Sequence, residues 1–444
     1  MERTARKANG QLSLDIQEAE VSRTVNHRHQ KLVTFKGGQE KLTHRWFRLT
    51  PSFSPDLVVD VLDRFGNKET RVLDPFSGRG TTPIECQLRD IPCVGIEINP
   101  ALHFAARTSL KWHVNPERLE HHFSSAVRNA TALTKKYASC TPEKLSEKLG
   151  VPVPSIHNVY RWWRADVLRD LLILKHAILD TASDPDERDL LLLALMSILL
   201  DTANITLGRL QLHFVDRSSD IIEPIVLFRN AASLIVEDLR ELSVTTHSTD
   251  SKIYLGDNRS IADKLGDFRA SLVITSPPYP NRYSYVWNTR PHLYFMQWFS
   301  TPTEAASLDC KTIGGTWGTA TSRHQKGCYE YSHGAVESVV GAVVDRIRKS
   351  DLLMSNYIAM YFDDLFKSIA ETKKSLANGA VCAYVVGNSR MKGTLVETDH
   401  LLAKLFDKLG FELLGNEEVR RRNSGKELHE TIVFAKARIA DNAP

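Results

Sequence analysis

Apolar and polar positions divide the chain into short apolar runs and longer segments with helical spacing. The short runs predict buried strands at 71–74, 93–97, 252–257, 271–274, 380–386 and 431–434. Helical spacing predicts helices at 56–65, 82–89, 351–376 and 398–409. Alternating strands and helices are typical of a doubly wound α/β fold with a parallel sheet. We expect 431–434 to form an edge strand.

One long segment interrupts this alternation. Residues 101–250 keep helical spacing almost throughout, and their richest apolar stretch, 190–200, is too short for a membrane span. The pattern therefore predicts an α/β domain in two pieces, 44–100 and 251–440, with a mainly helical insertion at 101–250. Residues 1–43 are predicted to form a flexible arm.

The composition limits the class of protein but does not indicate a function. The 444 residues are 42% hydrophobic and 25% charged, as in ordinary soluble proteins, and the polar N-terminus lacks a signal-peptide core, so we expect a cytoplasmic protein. The six cysteines form no C-x2-C pair, and no metal site is predicted. Residues 1–50 carry ten Lys and Arg against five Asp and Glu, which fits either phosphate contact or a solvated tail.

A glycine-rich segment follows the first predicted strand. Residues 74–82, Asp-Pro-Phe-Ser-Gly-Arg-Gly-Thr-Thr, are here called the glycine loop. Ligands bind at the carboxyl edge of such sheets, and Gly78 and Gly80 let backbone approach a ligand without an intervening Cβ. The following helix N-terminus favours a ligand carboxylate. Pro83 stands at the third glycine position of a dinucleotide fingerprint, which disfavours a nicotinamide site.

Two acids end other predicted strands at the same sheet edge. If the ligand is a nucleoside, Glu97 is placed to accept hydrogen bonds from its two ribose hydroxyls. Asp257 is placed to contact an adenine amine, although a simple turn residue also fits this position.

A second motif, Ser276-Pro277-Pro278-Tyr279, follows the strand at 271–274. An exocyclic base amine is a poor nucleophile until acceptors aimed at its protons favour rehybridisation. Ser276 offers a hydroxyl oxygen, and Pro277 offers a carbonyl held by the stiff Pro278 backbone. Tyr279 offers a flat face on which a base can stack. The later segment 386–389 either lines the same pocket or forms a plain turn.

Together the two motifs resemble the amino-methyltransferases, which move a methyl group from S-adenosylmethionine to an exocyclic base nitrogen. The resemblance covers about residues 44–100 and 252–440, and it implies a Rossmann-like methyltransferase sheet. It implies Ser276, Pro277, Pro278 and Tyr279 as catalytic residues. The implied cofactor-binding residues are Asp74, Phe76, Ser77, Gly78, Gly80, Thr81, Glu97, Asn99 and Asp257.

The Ser-Pro-Pro-Tyr form resembles the N4-cytosine DNA enzymes most closely, because N6-adenine relatives usually carry Asp or Asn at the position of Ser276. Double-stranded DNA is then the partner, with the target base flipped out. A separate cognate restriction nuclease is implied by the resemblance alone. An N6-adenine enzyme, an RNA base methyltransferase and a non-catalytic DNA-binding protein remain alternatives, and the oligomeric state stays open.

Residues 281–350 form a candidate target-recognition region, or alternatively a cover for the sheet. Arginines pair with guanine edges, and aromatic rings fill the gap left by a flipped base. The helical segment 160–164 is a weaker candidate for contact with DNA. The predicted DNA-binding residues are Arg282, Tyr283, Arg290, Trp317 and Arg323.

Overall fold

The computed structural model describes residues 23–25, 38, 40–48, 52–207, 211–244, 249, 251–315, 322, 327–421 and 428–439. Its strands are β1 Arg23–Val25, β2 Val72–Asp74, β3 Cys93–Glu97, β4 Ile205–Leu207, β5 Leu212–Phe214, β6 Lys252–Leu255, β7 Ala270–Thr275, β8 Leu376–Gly387, β9 Ser389–Met391, β10 Thr394–Val396, β11 Phe411–Arg421 and β12 His429–Ala437.

Helices cover both sides of the main sheet and fill the segment between β3 and β6. Within the described residues, no helix is long and apolar enough to cross a membrane. The α-helices are α1 Pro55–Phe65, α2 Thr81–Gln87, α3 Pro100–Thr108, α4 Pro116–Lys136, α5 Pro142–Leu149, α6 Val159–Trp162, α7 Ala165–Thr181, α8 Pro185–Ser197, α9 Pro224–Ser243, α10 Ala262–Leu265, α11 Tyr285–Phe295, α12 Pro302–Lys311, α13 Gly334–Arg348, α14 Leu352–Lys373 and α15 Thr398–Lys408.

The main sheet has the strand order β1-β11-β12-β8-β7-β2-β3-β6. From β2 the chain winds outward to β3 and β6, then returns to the other side of β2 as β7 and β8, and all these neighbours pair in parallel. The order therefore reverses between β2 and β7, which is where open α/β sheets bind their ligands. This topology confirms the predicted Rossmann-like sheet.

Alternating side chains along the central strands build a core on each face of the sheet. Val72 and Leu272 pack with α1 on one face, while Leu73 and Val273 pack with α13 and α14 on the other. Successive side chains of a strand point to opposite faces, and here the side chains on both faces are apolar, as expected for a sheet that helices cover on both sides. A separate apolar cluster, which includes Trp162 and Trp163, joins the helical insertion to α11.

The sequence prediction was wrong about the end of the chain. Strand β12 lies inside the sheet, antiparallel to both β8 and β11, rather than at an edge. The hydrophobic pattern did not predict β11. The pairing of β11 with β12 shifts register between Leu413 and Gly415 and again between Glu418 and Arg420. Each shift breaks the simple alternation by which a strand is recognised. A small hairpin, β4–β5, also lies in the otherwise helical insertion.

Candidate active site

The two motifs meet where the strand order reverses. Strands β2 and β7 pair in parallel, so Asp74 and Thr275 reach the carboxyl edge side by side. The Thr275 hydroxyl donates a hydrogen bond of 2.5 Å to Asp74 Oδ1, across 201 positions of sequence. The Thr82 hydroxyl donates to the carbonyl of Ile274 at 3.2 Å. The fold therefore fastens the glycine loop directly to the strand that carries Ser-Pro-Pro-Tyr.

The two glycines of the glycine loop have different structural roles. Gly78 and Gly80 adopt φ values of +54° and +92°, which L side chains rarely tolerate. A Cβ added at Gly78 meets nothing within 4 Å, whereas one added at Gly80 lies 3.0 Å from the Cβ of Ala106 in α3. Gly78 thus fits the expected approach to a ligand, while the small size of Gly80 serves helix packing.

Glu97 is held by backbone amides at the end of β3. Its Oε2 accepts from the Gly78 amide at 2.9 Å, and its Oε1 accepts from the Asn99 amide at 2.7 Å. Burial nevertheless raises the pKa of Glu97 to about 7, because desolvation outweighs these bonds. The acid is therefore oriented by the same loop that carries Gly78.

The glycine loop contains buried polar atoms that fit a charged nucleoside cofactor. Asp74 is fully buried, and burial raises its pKa to about 6. Among the described residues, Asp74 Oδ2 and Ser77 Oγ have no hydrogen-bond partner. Buried polar atoms are nearly always paired, so these two, together with the open side of Gly78, suit a ligand carrying ammonium and hydroxyl groups.

Asp257 takes the turn role that the sequence left open, and its contact with an adenine amine stays a prediction. Its Oδ1 accepts from the Arg259 amide at 3.0 Å, so it caps a short turn at the end of β6. Its Oδ2 also pairs with the Arg259 guanidinium at 2.7 Å, and that guanidinium reaches Asp364 of α14 at 2.7 Å. The neighbouring Asn258 was not predicted; its side-chain amide donates to the carbonyl of Pro75 at 2.7 Å and holds the glycine loop.

The remaining predicted cofactor residues line the same edge of the sheet. Asn99 caps α3 and donates to the Thr289 hydroxyl in α11 at 2.8 Å. Thr81 is buried at the start of α2, and Phe76 packs against the apolar cluster of α13 and α14. Asn99 thus joins α3 to α11 and Phe76 joins the glycine loop to α13 and α14, while the cofactor contacts of all three residues stay predictions.

Arg79 of the glycine loop was not given a role by the sequence, and the structure assigns it a structural one. Its guanidinium donates to the carbonyl of Phe47 at 2.8 Å and lies 3.0 Å from His44 Nδ1. Burial lowers the pKa of His44 to about 4, so the ring is neutral and its Nε2 pairs with Glu85 at 2.9 Å. The loop is thereby tied to the segment that precedes α1.

The Pro-Pro-Tyr loop, residues 276–284, follows β7 and lies against the end of β8. The Ser276 hydroxyl donates to the Val385 carbonyl at 3.2 Å, which leaves its lone pairs as acceptors. The ring of Tyr279 lies against Gly387, where an added Cβ would come within 2.9 Å of two ring carbons. The segment 386–389 therefore adjoins the loop, and glycine is required there for close contact.

The two proline carbonyls of this loop have different partners. The Pro278 carbonyl accepts from the hydroxyl of Tyr361 in α14 at 2.8 Å. Hydrogen bonds among the described residues do not involve the Pro277 carbonyl, which is the predicted acceptor. Tyr361 was not predicted, because a tyrosine inside an apolar helix pattern is indistinguishable from an ordinary core residue.

The predicted DNA-binding residues separate into three groups. Arg282 is exposed within the Pro-Pro-Tyr loop, three residues after Tyr279, at a φ of +62°. Tyr283 is buried edge-on against Tyr285, with 4.7 Å between ring centroids. Trp317 and Arg323 lie outside the described residues.

Arg290 requires a correction. Its side chain is buried, and its guanidinium lies 4.6 Å from the ring centroid of Trp287 and 5.8 Å from that of Trp162. This packing joins α11 to the helical insertion, and burial lowers the pKa of Arg290. A direct contact with base edges does not fit this position, because the guanidinium would have to leave its aromatic neighbours.

Comparison with known proteins confirms the resemblance carried by the two motifs. The chain is 23% identical over 450 residues to the Type II methyltransferase M.BsoBI of Geobacillus stearothermophilus, covering 90% of this chain and 85% of the relative. It is 22% identical over 404 residues to the Type II methyltransferase M.MvaI of Kocuria varians, covering 87% of this chain and 86% of the relative. A 72-residue stretch is 38% identical to the Type II methyltransferase M.AvaI of Nostoc sp., covering 16% and 15%.

Other comparisons add little to these relatives. No family model matches the chain. Among solved structures, the rRNA methyltransferase aviRa from Streptomyces viridochromogenes matches with a TM-score of 0.30 and 12% identity, covering 88% of this chain and 89% of that one. A TM-score this low does not establish that the two folds are the same.

Proposed function

Since the chain is related over most of its length to Type II methyltransferases, we propose that it is a DNA methyltransferase acting on the N4 amine of cytosine. S-adenosylmethionine is the proposed donor and a specific duplex sequence the proposed substrate. The observation that carries the proposal is the hydrogen bond between Asp74 and Thr275, which joins the glycine loop to the Ser-Pro-Pro-Tyr strand. The adjacency of the two motifs supports a proposed donor site next to a proposed acceptor site.

The donor side supports a nucleoside cofactor with a charged amino-acid part. Asp74 Oδ2 and Ser77 Oγ are buried acceptors of the glycine loop, and Gly78 has open space where a side chain would lie. Glu97, held by two backbone amides, is the proposed acceptor from the ribose hydroxyls. Asp257, which also pairs with Arg259, is the proposed contact with the adenine amine. S-adenosylmethionine, when bound there, supplies a methyl group activated by its positive sulfur.

On the acceptor side, the proposed role of this chain is to aim hydrogen-bond acceptors at the amine. Ser276 donates its own proton to the Val385 carbonyl at 3.2 Å and lies 3.5 Å from the Tyr279 hydroxyl, and its oxygen is the proposed acceptor of one amine proton. The Pro277 carbonyl accepts the other, and Tyr279 stacks on the base. Acceptors fixed in this way stabilise the rehybridised nitrogen before transfer, so no strong general base is required.

The choice of cytosine rests on the form of the motif rather than on the geometry. A serine hydroxyl can accept from the amine of either base, and N6-adenine is therefore the alternative substrate. The base must leave the duplex to reach the loop, and Arg282, exposed next to the motif, is the proposed contact with the DNA. We place the enzyme in a cytoplasmic restriction-modification system with a separate nuclease.

The test is methyl transfer from labelled S-adenosylmethionine to mixed-sequence duplex DNA, followed by mass spectrometry of the digested nucleosides. N4-methylcytosine is the expected product. N6-methyladenine would keep the reaction but overturn the assigned base. No labelled nucleoside from DNA, with donor binding intact, would contradict the proposal, and a parallel incubation with RNA would then identify an RNA substrate.

A further inference from the structure

Helix α14 presents two tyrosines toward the Pro-Pro-Tyr loop. Tyr357 and Tyr361 are four positions apart, so they lie on one face of the helix, and both are fully buried. Both hydroxyls contact main-chain atoms of the loop. The helix therefore helps to hold the backbone shape of the loop.

The two contacts differ in strength. Tyr361 Oη donates to the Pro278 carbonyl at 2.8 Å, an ordinary distance for a hydroxyl donor. Tyr357 Oη accepts from the Arg282 amide at 3.4 Å and donates to the Gly314 carbonyl at 3.4 Å, both long. Tyr361 thus makes the stronger contact, and it does so in the middle of the motif.

A hydrogen bond at Pro278 fixes more of the backbone than it would at another residue. The pyrrolidine ring already locks φ of Pro278, so a fixed carbonyl removes the remaining backbone freedom of this residue. The peptide plane between Pro277 and Pro278 then has a set orientation relative to the anchored carbonyl. The orientation of the Pro277 carbonyl, the proposed amine acceptor, follows from it.

We propose that Tyr361 is a positioning residue for methyl transfer, which aims the Pro277 carbonyl through its hydrogen bond to Pro278. The inference rests on the proposed function and deepens it. Tyr361 acts on the acceptor side only, because its hydroxyl contacts the Pro-Pro-Tyr loop and not the glycine loop. Its effect belongs to the transfer step, where a misdirected acceptor stabilises the rehybridised amine less well.

The test is Tyr361→Phe, which removes the hydroxyl and keeps the ring in its packing. We expect the single-turnover rate of methyl transfer to fall about tenfold, the size expected for one buried hydrogen bond. Donor affinity measured by calorimetry and the KM for DNA should stay within about twofold of wild type. If Tyr361 had a purely structural role, Tyr361→Phe would lower thermal stability but would not slow methyl transfer selectively while donor affinity and the KM for DNA stay unchanged.

A matched control is available in α11. Tyr294 is also buried, and its hydroxyl donates to the Thr301 carbonyl at 2.9 Å, so Tyr294→Phe removes an equivalent bond elsewhere. We expect it to match Tyr361→Phe in stability loss while keeping the wild-type transfer rate. Equal transfer rates in the two variants would overturn the positioning role alone. A wild-type enzyme that methylates no nucleic acid would overturn the proposed function, and the inference with it.

Discussion

The two halves of the site are held in place in different ways. On the donor side, Glu97 and Asp74 accept hydrogen bonds from backbone amides of the glycine loop and its surroundings. On the acceptor side, groups far away in sequence hold the Pro-Pro-Tyr loop: the Val385 carbonyl and the Tyr361 hydroxyl. The donor-side carboxylates are therefore held mainly by backbone amides, with the Thr275 hydroxyl as a distant partner of Asp74, while the acceptor loop is held by the packing of β8 and α14.

This difference predicts that donor binding and methyl transfer can be disrupted separately. Asp74 and Glu97 on the donor side are buried, and burial raises the pKa of both, so that side also depends on pH. The acceptor side relies on neutral hydroxyl and carbonyl groups. Substitutions on each side should change one measured quantity and leave the other nearly constant.

The largest effect is expected on the acceptor side. Tyr279→Ala removes the stacking surface for the base, and we expect the methyl-transfer rate at fixed DNA concentration to fall by about a hundredfold. Calorimetry should give donor affinity within about twofold of wild type, because the ring packs against Gly387 at the end of β8. A comparable loss of donor affinity would show that the two halves are not separable.

The reverse change belongs to the donor side. Glu97→Gln removes the charge that accepts from the Gly78 and Asn99 amides, and we expect donor affinity to fall about tenfold. At saturating donor the transfer rate should approach that of wild type. Unchanged affinity in calorimetry would remove Glu97 from the donor site.

A smaller effect should separate the two glycines. Both have positive φ, so alanine costs about 1 kcal/mol of backbone strain at either position. Gly80→Ala also drives its Cβ against Ala106. We expect it to unfold at a temperature several degrees below Gly78→Ala, because overpacking of a filled site adds a further cost of about 1 kcal/mol or more. Gly78→Ala should instead weaken donor binding. Equal melting temperatures would contradict the assignment of Gly80 to helix packing.

The smallest effect concerns pH. Burial raises the pKa of Glu97 to about 7, so the acid contributes stability below its unfolded pKa that is lost as pH rises through about 7. Glu97→Gln has no charge to bury and escapes this loss. We expect the melting temperature of wild type, relative to the variant, to drop by a few degrees between about pH 5 and 8. A constant difference would contradict the raised pKa.

The sequence predicted those parts of the site that depend on strand order and local motifs. Glu97, Asp74 and Ser276 lie at the sheet edge because each directly follows or ends a parallel strand. It did not predict Tyr361, whose position in an apolar helix gives no sign of the bond to Pro278. It also misplaced Arg290, because a charged side chain suggests exposure while the structure buries this one on Trp287. Contacts of this kind depend on which helix packs where.

The most direct measurement follows label transfer and donor affinity together, on duplex DNA, in wild type, Tyr279→Ala and Glu97→Gln. We predict that wild type produces N4-methylcytosine, that Tyr279→Ala binds donor normally but transfers slowly, and that Glu97→Gln binds donor weakly but transfers well at saturation. A wild-type enzyme that labels no DNA base, or two variants that lose the same quantity, would contradict a methyltransferase site built from two separable halves.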